Sequence, residues 1–149
     1  MTGRALTAGE VILCQSVFGQ VIDYDQVTVF KRKWWPFQHR RVTMAPDGNL
    51  WFHPRSGLFC DDFCGAPRNV QALFIHEMVH VWQHQQGIFL PLARHPFSRY
   101  DYELLPGKSF AQYGIEQQAE IVSHYFLLKR GSRLKNGYVM ADYRGLLPF

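Results

Sequence analysis

Leu73-Phe74-Ile75-His76-Glu77-Met78-Val79-His80-Val81-Trp82-Gln83 is the stretch on which the fold turns. Leu73, Phe74, Met78, Val81 and Trp82 recur at helical spacing and predict an amphipathic helix over residues 69–86, stopped by Gly87. His76 and His80 are four residues apart, so on a helix they leave one face about a turn apart. That brings two imidazoles within reach of one ion at the ~2.0–2.1 Å zinc–nitrogen distance. Glu77 lies one step round the helix, where it can address a water on the metal without taking a coordination position. Zinc lowers the pKa of such a water toward ~7, so Glu77 can take its proton as general base. The pattern therefore predicts one Zn2+ held by His76 and His80, with Glu77 as the catalytic carboxylate.

A catalytic zinc needs a third protein ligand. A third histidine six residues after His80 is absent, because Gln86 stands there and Gly87 follows. His84 continues the histidine row, but a straight helix carries it about a turn past the metal. A glutamate from a second helix is the other route. Ile115, Ala119, Val122 and Phe126 mark a helix over residues 109–129 that ends at Gly131, and it carries Glu116-Gln117-Gln118-Ala119-Glu120. Glu116 is the expected ligand. Glu120, one turn on, is the expected second carboxylate, accepting the free N–H of a ligand histidine. The reverse assignment stays open at this point.

Outward from these helices the chain reads as one α+β domain over residues 1–149. Thr7 and Glu10 form a capping-box pattern ahead of a helix that runs to Phe18 and Gly19. Residues 27–30, 41–44 and 49–53 read as strands, the last two joined through Ala45-Pro46-Asp47-Gly48. The expected architecture is a small antiparallel sheet packed on the histidine helix and on the second, glutamate-bearing helix. Residues 54–67 read as a loop. Residues 88–108 read as irregular, broken by Pro91, Pro96 and Pro106-Gly107.

Composition bounds the function classes. A chain of 149 residues with 47% hydrophobic and 19% charged residues is globular and can support a core without disulfides. No apolar run approaches the ~18 residues of a membrane span. No signal-peptide pattern is seen at the N-terminus, which predicts synthesis in the cytoplasm, with export left to a dedicated secretion machine. The three cysteines, Cys14, Cys60 and Cys64, form no disulfide framework, and no second Cys/His pair completes a zinc site with Cys60 and Cys64. The formal charge of +4 is clustered: Lys31, Arg32, Lys33, Arg40 and Arg41 surround Trp34, Trp35 and Phe37. Such a mixture can grip nucleic acid or an anionic membrane surface. The plainer reading is a solvated hairpin loop whose tryptophans pack back on the core, since no other nucleic-acid-binding motif accompanies it.

The two motifs together resemble the gluzincin metallopeptidases, in particular the minimal single-domain ones (minigluzincins). Their second motif is glutamate, two variable residues, alanine and an acidic residue. Glu116-Gln117-Gln118-Ala119-Glu120 fits it with Glu in place of the more usual Asp. Phe18-Gly19, Ile22-Asp23-Tyr24-Asp25-Gln26-Val27, the 45–52 and 76–83 stretches and the 100–110 stretch are similar to the Vgr-related and Rhs-associated metallopeptidase-like domains of bacterial contractile-injection (type VI secretion) loci. The resemblance covers residues 18–128. It implies an edge strand that takes up a peptide substrate by strand addition, for which Asn49, Leu50, Trp51, Phe52 and His53 are the candidates. It also implies a side chain that stabilises the transition state opposite the metal. Tyr102, Tyr113 and His124 are chemically able, and the sequence does not choose among them.

Three functions compete. The first is zinc-dependent hydrolysis of a peptide or protein substrate, by an effector or processing factor linked to the secretion apparatus. The second keeps the metal but assigns a non-catalytic structural or chaperone-like role in that apparatus. The third is a DNA-associated zinc protease using the basic 31–41 stretch.

Overall fold

The computed structural model describes residues 3–90 and 99–149. Pro91 and Pro96, expected to break the irregular segment, lie outside the described residues. Among those residues the chain forms β1 (Gly3–Ala5), α1 (Ala8–Phe18), β2 (Thr28–Phe30), β3 (Leu50–Trp51), α2 (Arg68–Gln85) and α3 (Ile115–Lys129), with short 3-10 turns between them.

The sheet corrects the antiparallel expectation. Its order is β1-β2-β3; β1 runs antiparallel to β2, with Gly3 opposite Phe30, but β3 runs parallel to β2, with Val29 opposite Leu50. A parallel return needs a long connection rather than a hairpin, and the intervening loop supplies it. The expected strand over residues 41–44 contributes a single antiparallel bridge, Met44 to Trp51. The buried Gln38 side chain takes over part of that pairing: its Nε2 donates to the Val42 and Trp51 carbonyls at 2.8 and 3.0 Å. β1 has no readable pattern because it is three residues long and opens on glycine. A Cβ on Gly3 would stand 2.5 Å from Thr28 Cγ2 and 2.6 Å from the Phe30 ring, so this strand pairs only as glycine.

The Thr7 capping box forms as its spacing predicts, and it does more than start a helix. Glu10 is fully buried; Arg4 donates to both its oxygens at 2.8 and 3.0 Å, and the Thr7 and Phe63 N–H groups donate to it at 2.9 Å each. One carboxylate thereby joins β1, the start of α1 and the turn that leads into α2. Beneath it, the Phe52, Phe63 and Phe74 rings stack at 5.3 and 4.8 Å, connecting sheet, loop and α2. Each fully buried ring of this kind contributes about 1.5–3 kcal/mol.

α2 and α3 pack side by side. Small residues, Ala72 and Ala119, are buried in the core, and Ser123 Oγ donates to the Ala72 carbonyl at 3.0 Å. α3 begins at Ile115 rather than at residue 109. Ser109 instead opens a 3-10 turn, Phe110–Gln112, after which Tyr113 and Gly114 are extended. Gly48 ends the expected turn with φ +84°, and the His84 ring packs against it, leaving 2.7 Å to where a Cβ would be. His84 thus packs on the Gly48 turn and is not part of the His76, His80 and Glu116 group. The cysteines are free thiols.

Candidate metal centre

α2 buries a polar row that an ordinary core helix would fill with apolar side chains: His76, Glu77, His80 and Gln83 are all buried. Burial on this scale requires partners. α3 supplies them. Glu116 Oε1 lies 2.9 Å from His80 Nε2 and 3.2 Å from His76 Nε2, so both imidazoles direct the same kind of nitrogen at one carboxylate oxygen. The ligand-capable atoms of His76, His80 and Glu116 all lie within 4.8 Å of one another. Glu116 rather than Glu120 meets the histidine pair in this arrangement.

The opposite ring nitrogens are held as well. His76 Nδ1 is 3.1 Å from Glu120 Oε1, and Glu120 Oε2 is 3.3 Å from His124 Nε2. His80 Nδ1 donates to Gln83 Oε1 at 2.8 Å. The Gln83 amide is itself fixed, its Nε2 donating to the Ile115 carbonyl at 3.1 Å and to Gln118 Oε1 at 3.0 Å. Gln118 Nε2 in turn donates to the Tyr113 carbonyl at 2.9 Å. Both rings are therefore set with Nδ1 as donor and Nε2 toward Glu116, the tautomer a metal-binding imidazole needs. Gln83 went unread in the sequence, although its place one helical turn after His80 was a usable signal.

The electrostatics agree with the geometry. Burial pulls the His76 pKa down, but its hydrogen bonds with Glu116 and Glu120, together with the Glu77 and Glu116 charges, lift it to about 10. Burial works to raise the Glu120 carboxyl, yet the His76 hydrogen bond and the His76 and His124 charges hold it below the usual range. His124 is shifted down, chiefly by burial, against the opposing pull of Glu120. Two imidazoles, each supported at Nδ1, and a carboxylate make a donor set that could hold a metal ion, of the kind that suits zinc.

A cleft of about 430 Å³ opens beside this cluster at His76, lined also by Glu77, Tyr100, Glu120 and His124 among others. Of the candidate transition-state donors, His124 lines it. Tyr102 stands behind His124, its hydroxyl 2.7 Å from His124 Nδ1 and 2.6 Å from the Tyr143 hydroxyl. Tyr113 is buried elsewhere, its hydroxyl accepting from the Leu105 N–H at 3.1 Å. Tyr100, not singled out in the sequence, stacks on His76 with ring centroids 6.0 Å apart.

Of the Asn49, Leu50, Trp51, Phe52 and His53 segment, Leu50 and Trp51 form β3, and much of the segment's backbone is engaged. Trp51 exchanges both main-chain hydrogen bonds with Met44, and the Phe52 N–H donates to the Phe30 carbonyl. Asn49 Oδ1 accepts from the Thr28 N–H. Arg41, Val42 and Thr43, rather than this segment, border the cleft; which of them a substrate would pair with is a separate matter of binding.

Comparison with known proteins supplies the relatives. A solved structure, the effector domain of Pseudomonas aeruginosa VgrG2b, superposes with a TM-score of 0.84 at 37% identity, covering 98% of this chain and 84% of that one. The chain belongs to the family of that effector domain. It is also 42% identical over 135 residues to the type VI secretion system spike protein VgrG2b of Pseudomonas aeruginosa. That match takes in 85% of this chain but only 13% of the spike protein's length. No family model matches.

Proposed function

We propose that this domain is a zinc-dependent peptidase. The observation that carries the reading is the buried meeting of His76, His80 and Glu116, their ligand-capable atoms within 4.8 Å of one another, beside a cleft that His76 and Glu77 line. Those three residues would hold the ion. Bound there, zinc would polarise a water molecule and the scissile carbonyl. Glu77, in the same cleft, accepts the proton of the attacking water and returns it to the leaving amine. Glu120 and Gln83 keep the two imidazoles oriented through their Nδ1 atoms. His124, facing the cleft with Tyr102 behind it, is the side chain placed to donate to the developing oxyanion.

Kinship with the effector domain of a type VI secretion spike protein supports a delivered effector that acts on a protein substrate and has the secretion apparatus as partner. No helix among the described residues is long and apolar enough to cross a membrane. The deciding experiment compares wild type with Glu77→Gln for zinc content and for cleavage of an unfolded protein substrate. The expected result is equal zinc and loss of cleavage in the variant. Equal zinc with no cleavage by either protein favours the non-catalytic metal-binding role, and equal cleavage by both excludes Glu77 as the base.

A further inference from the structure

The 31–42 loop contradicts the expectation that its tryptophans pack back on the core. Phe37 is 79% exposed, Trp35 47% and Trp34 39%. The Trp35 and Phe37 rings meet edge to face at 5.3 Å, so the apolar groups form one patch rather than scattered contacts. The loop is shaped from inside: buried Gln38 accepts the Trp34 N–H at 2.8 Å while its own amide is anchored to the Val42 and Trp51 carbonyls. Turning Gln38 inward leaves the neighbouring aromatics facing water.

Around this tip the charge is of one sign. No acidic residue occurs between Asp25 and Asp47, whereas Lys31, Arg32, Lys33, Arg40 and Arg41 do. Among the described residues none of these five cations forms an ion pair. Lys31 and Arg32 lie over the Phe59 and Trp51 rings, and Lys33 donates to the Pro36 carbonyl. The field extends to half-buried His53, whose pKa is lowered first by desolvation and then by the charges of Lys33, Arg55, His39 and Arg40.

We propose that this loop docks the domain on an anionic phospholipid bilayer, with Trp34, Trp35 and Phe37 seated at headgroup level and the surrounding cations on the lipid phosphates. Aromatic rings with one wet and one apolar side settle at that depth, and each nearby Lys or Arg strengthens binding to an anionic surface about fivefold. Single-stranded nucleic acid fits less well, because it needs ring faces laid out along a groove, and here Trp35 and Phe37 occupy each other on an exposed tip. Arg41 and Val42 belong both to the loop and to the rim of the cleft. Docking would therefore hold the cleft at the membrane, selecting membrane-adjacent protein segments as substrates. That consequence rests on the peptidase reading; the docking itself does not.

The test is co-sedimentation with vesicles of phosphatidylcholine alone and of phosphatidylcholine mixed with phosphatidylglycerol. Wild type, Glu77→Gln, the pair Lys33→Gln/Arg40→Gln and the pair Trp35→Ser/Phe37→Ser would be compared. Wild type and Glu77→Gln should pellet alike with the mixed vesicles and stay in solution with phosphatidylcholine. The charge pair should weaken binding roughly thirtyfold and the aromatic pair should lose it, with circular dichroism unchanged. Should the aromatic pair not fold, the charge pair decides alone. Equal binding to both vesicle types, or loop variants that bind like wild type, overturns the proposal. So does an oligonucleotide that binds more tightly than the mixed vesicles at the same ionic strength and is lost in the same variants.

Discussion

His80 and Glu116 stand 36 positions apart in the chain, yet His80 Nε2 and Glu116 Oε1 meet at 2.9 Å in a fully buried setting. His76 Nε2 reaches the same oxygen at 3.2 Å. Two histidines converge on one carboxylate oxygen, each fixed from behind, and on this arrangement the proposed metal site rests.

On the proposed zinc-site reading, removing metal should destabilise the protein. A ligand bound only by the folded state stabilises by about 2.7 kcal/mol at a hundredfold excess over its Kd. Thermal unfolding with and without a chelator should show a lower Tm in the chelated sample, restored by added zinc. His80→Ala and Glu116→Ala should show no such response.

The two glutamates should separate by metal content. Glu116→Ala removes a donor and is expected to abolish stoichiometric zinc. Glu120→Ala leaves all three donors and removes only the acceptor at His76 Nδ1, so zinc affinity should fall about 10–100-fold without vanishing. Competition against a chromophoric chelator measures both.

Gln83 offers a similar test on the other imidazole. Gln83→Leu removes the acceptor at His80 Nδ1 and the donor to the Ile115 carbonyl and Gln118. Zinc affinity should again drop about 10–100-fold. A variant that binds zinc like wild type would show that His80 needs no support from Gln83.

Glu10 lies far from the cleft in its role and should act on stability alone. Glu10→Ala strips the partner from Arg4 and leaves the buried Phe63 N–H without its acceptor. Breaking a buried pair from one side costs about 3–5 kcal/mol. Urea denaturation should show that loss, with the zinc stoichiometry of the folded protein unchanged.

Phe63→Ala should be comparably severe. Its ring is stacked between Phe52 and Phe74, and truncating such a side chain costs about 3–5 kcal/mol. Phe63→Leu should recover part of the loss in the same denaturation experiment.

What could be read from the chain follows from the range of the interactions concerned. The histidine helix, its central Glu77 and the Thr7–Glu10 cap depend on residues three or four apart, so backbone periodicity alone brings them together. The sheet was legible only in part. Its β2 and β3 segments carry strand character, but their relative direction depends on the path of the 31–49 connection, and β1 pairs through the absence of a side chain at Gly3. The aromatic loop is not legible in the sequence, because whether Trp34 and Trp35 turn inward depends on Gln38, whose hydrogen bonds reach Val42 and Trp51.

At the centre the division is sharpest. The sequence by itself determined that two histidines share a helix face and that a second helix offers two carboxylates one turn apart. Only the tertiary structure decided between those carboxylates. The rotation of α3 against α2, set by contacts such as Ser123 to Ala72, aims Glu116 at both Nε2 atoms and leaves Glu120 at His76 Nδ1. Local periodicity fixes which residues share a face, whereas the direction that face takes toward another helix is decided by packing.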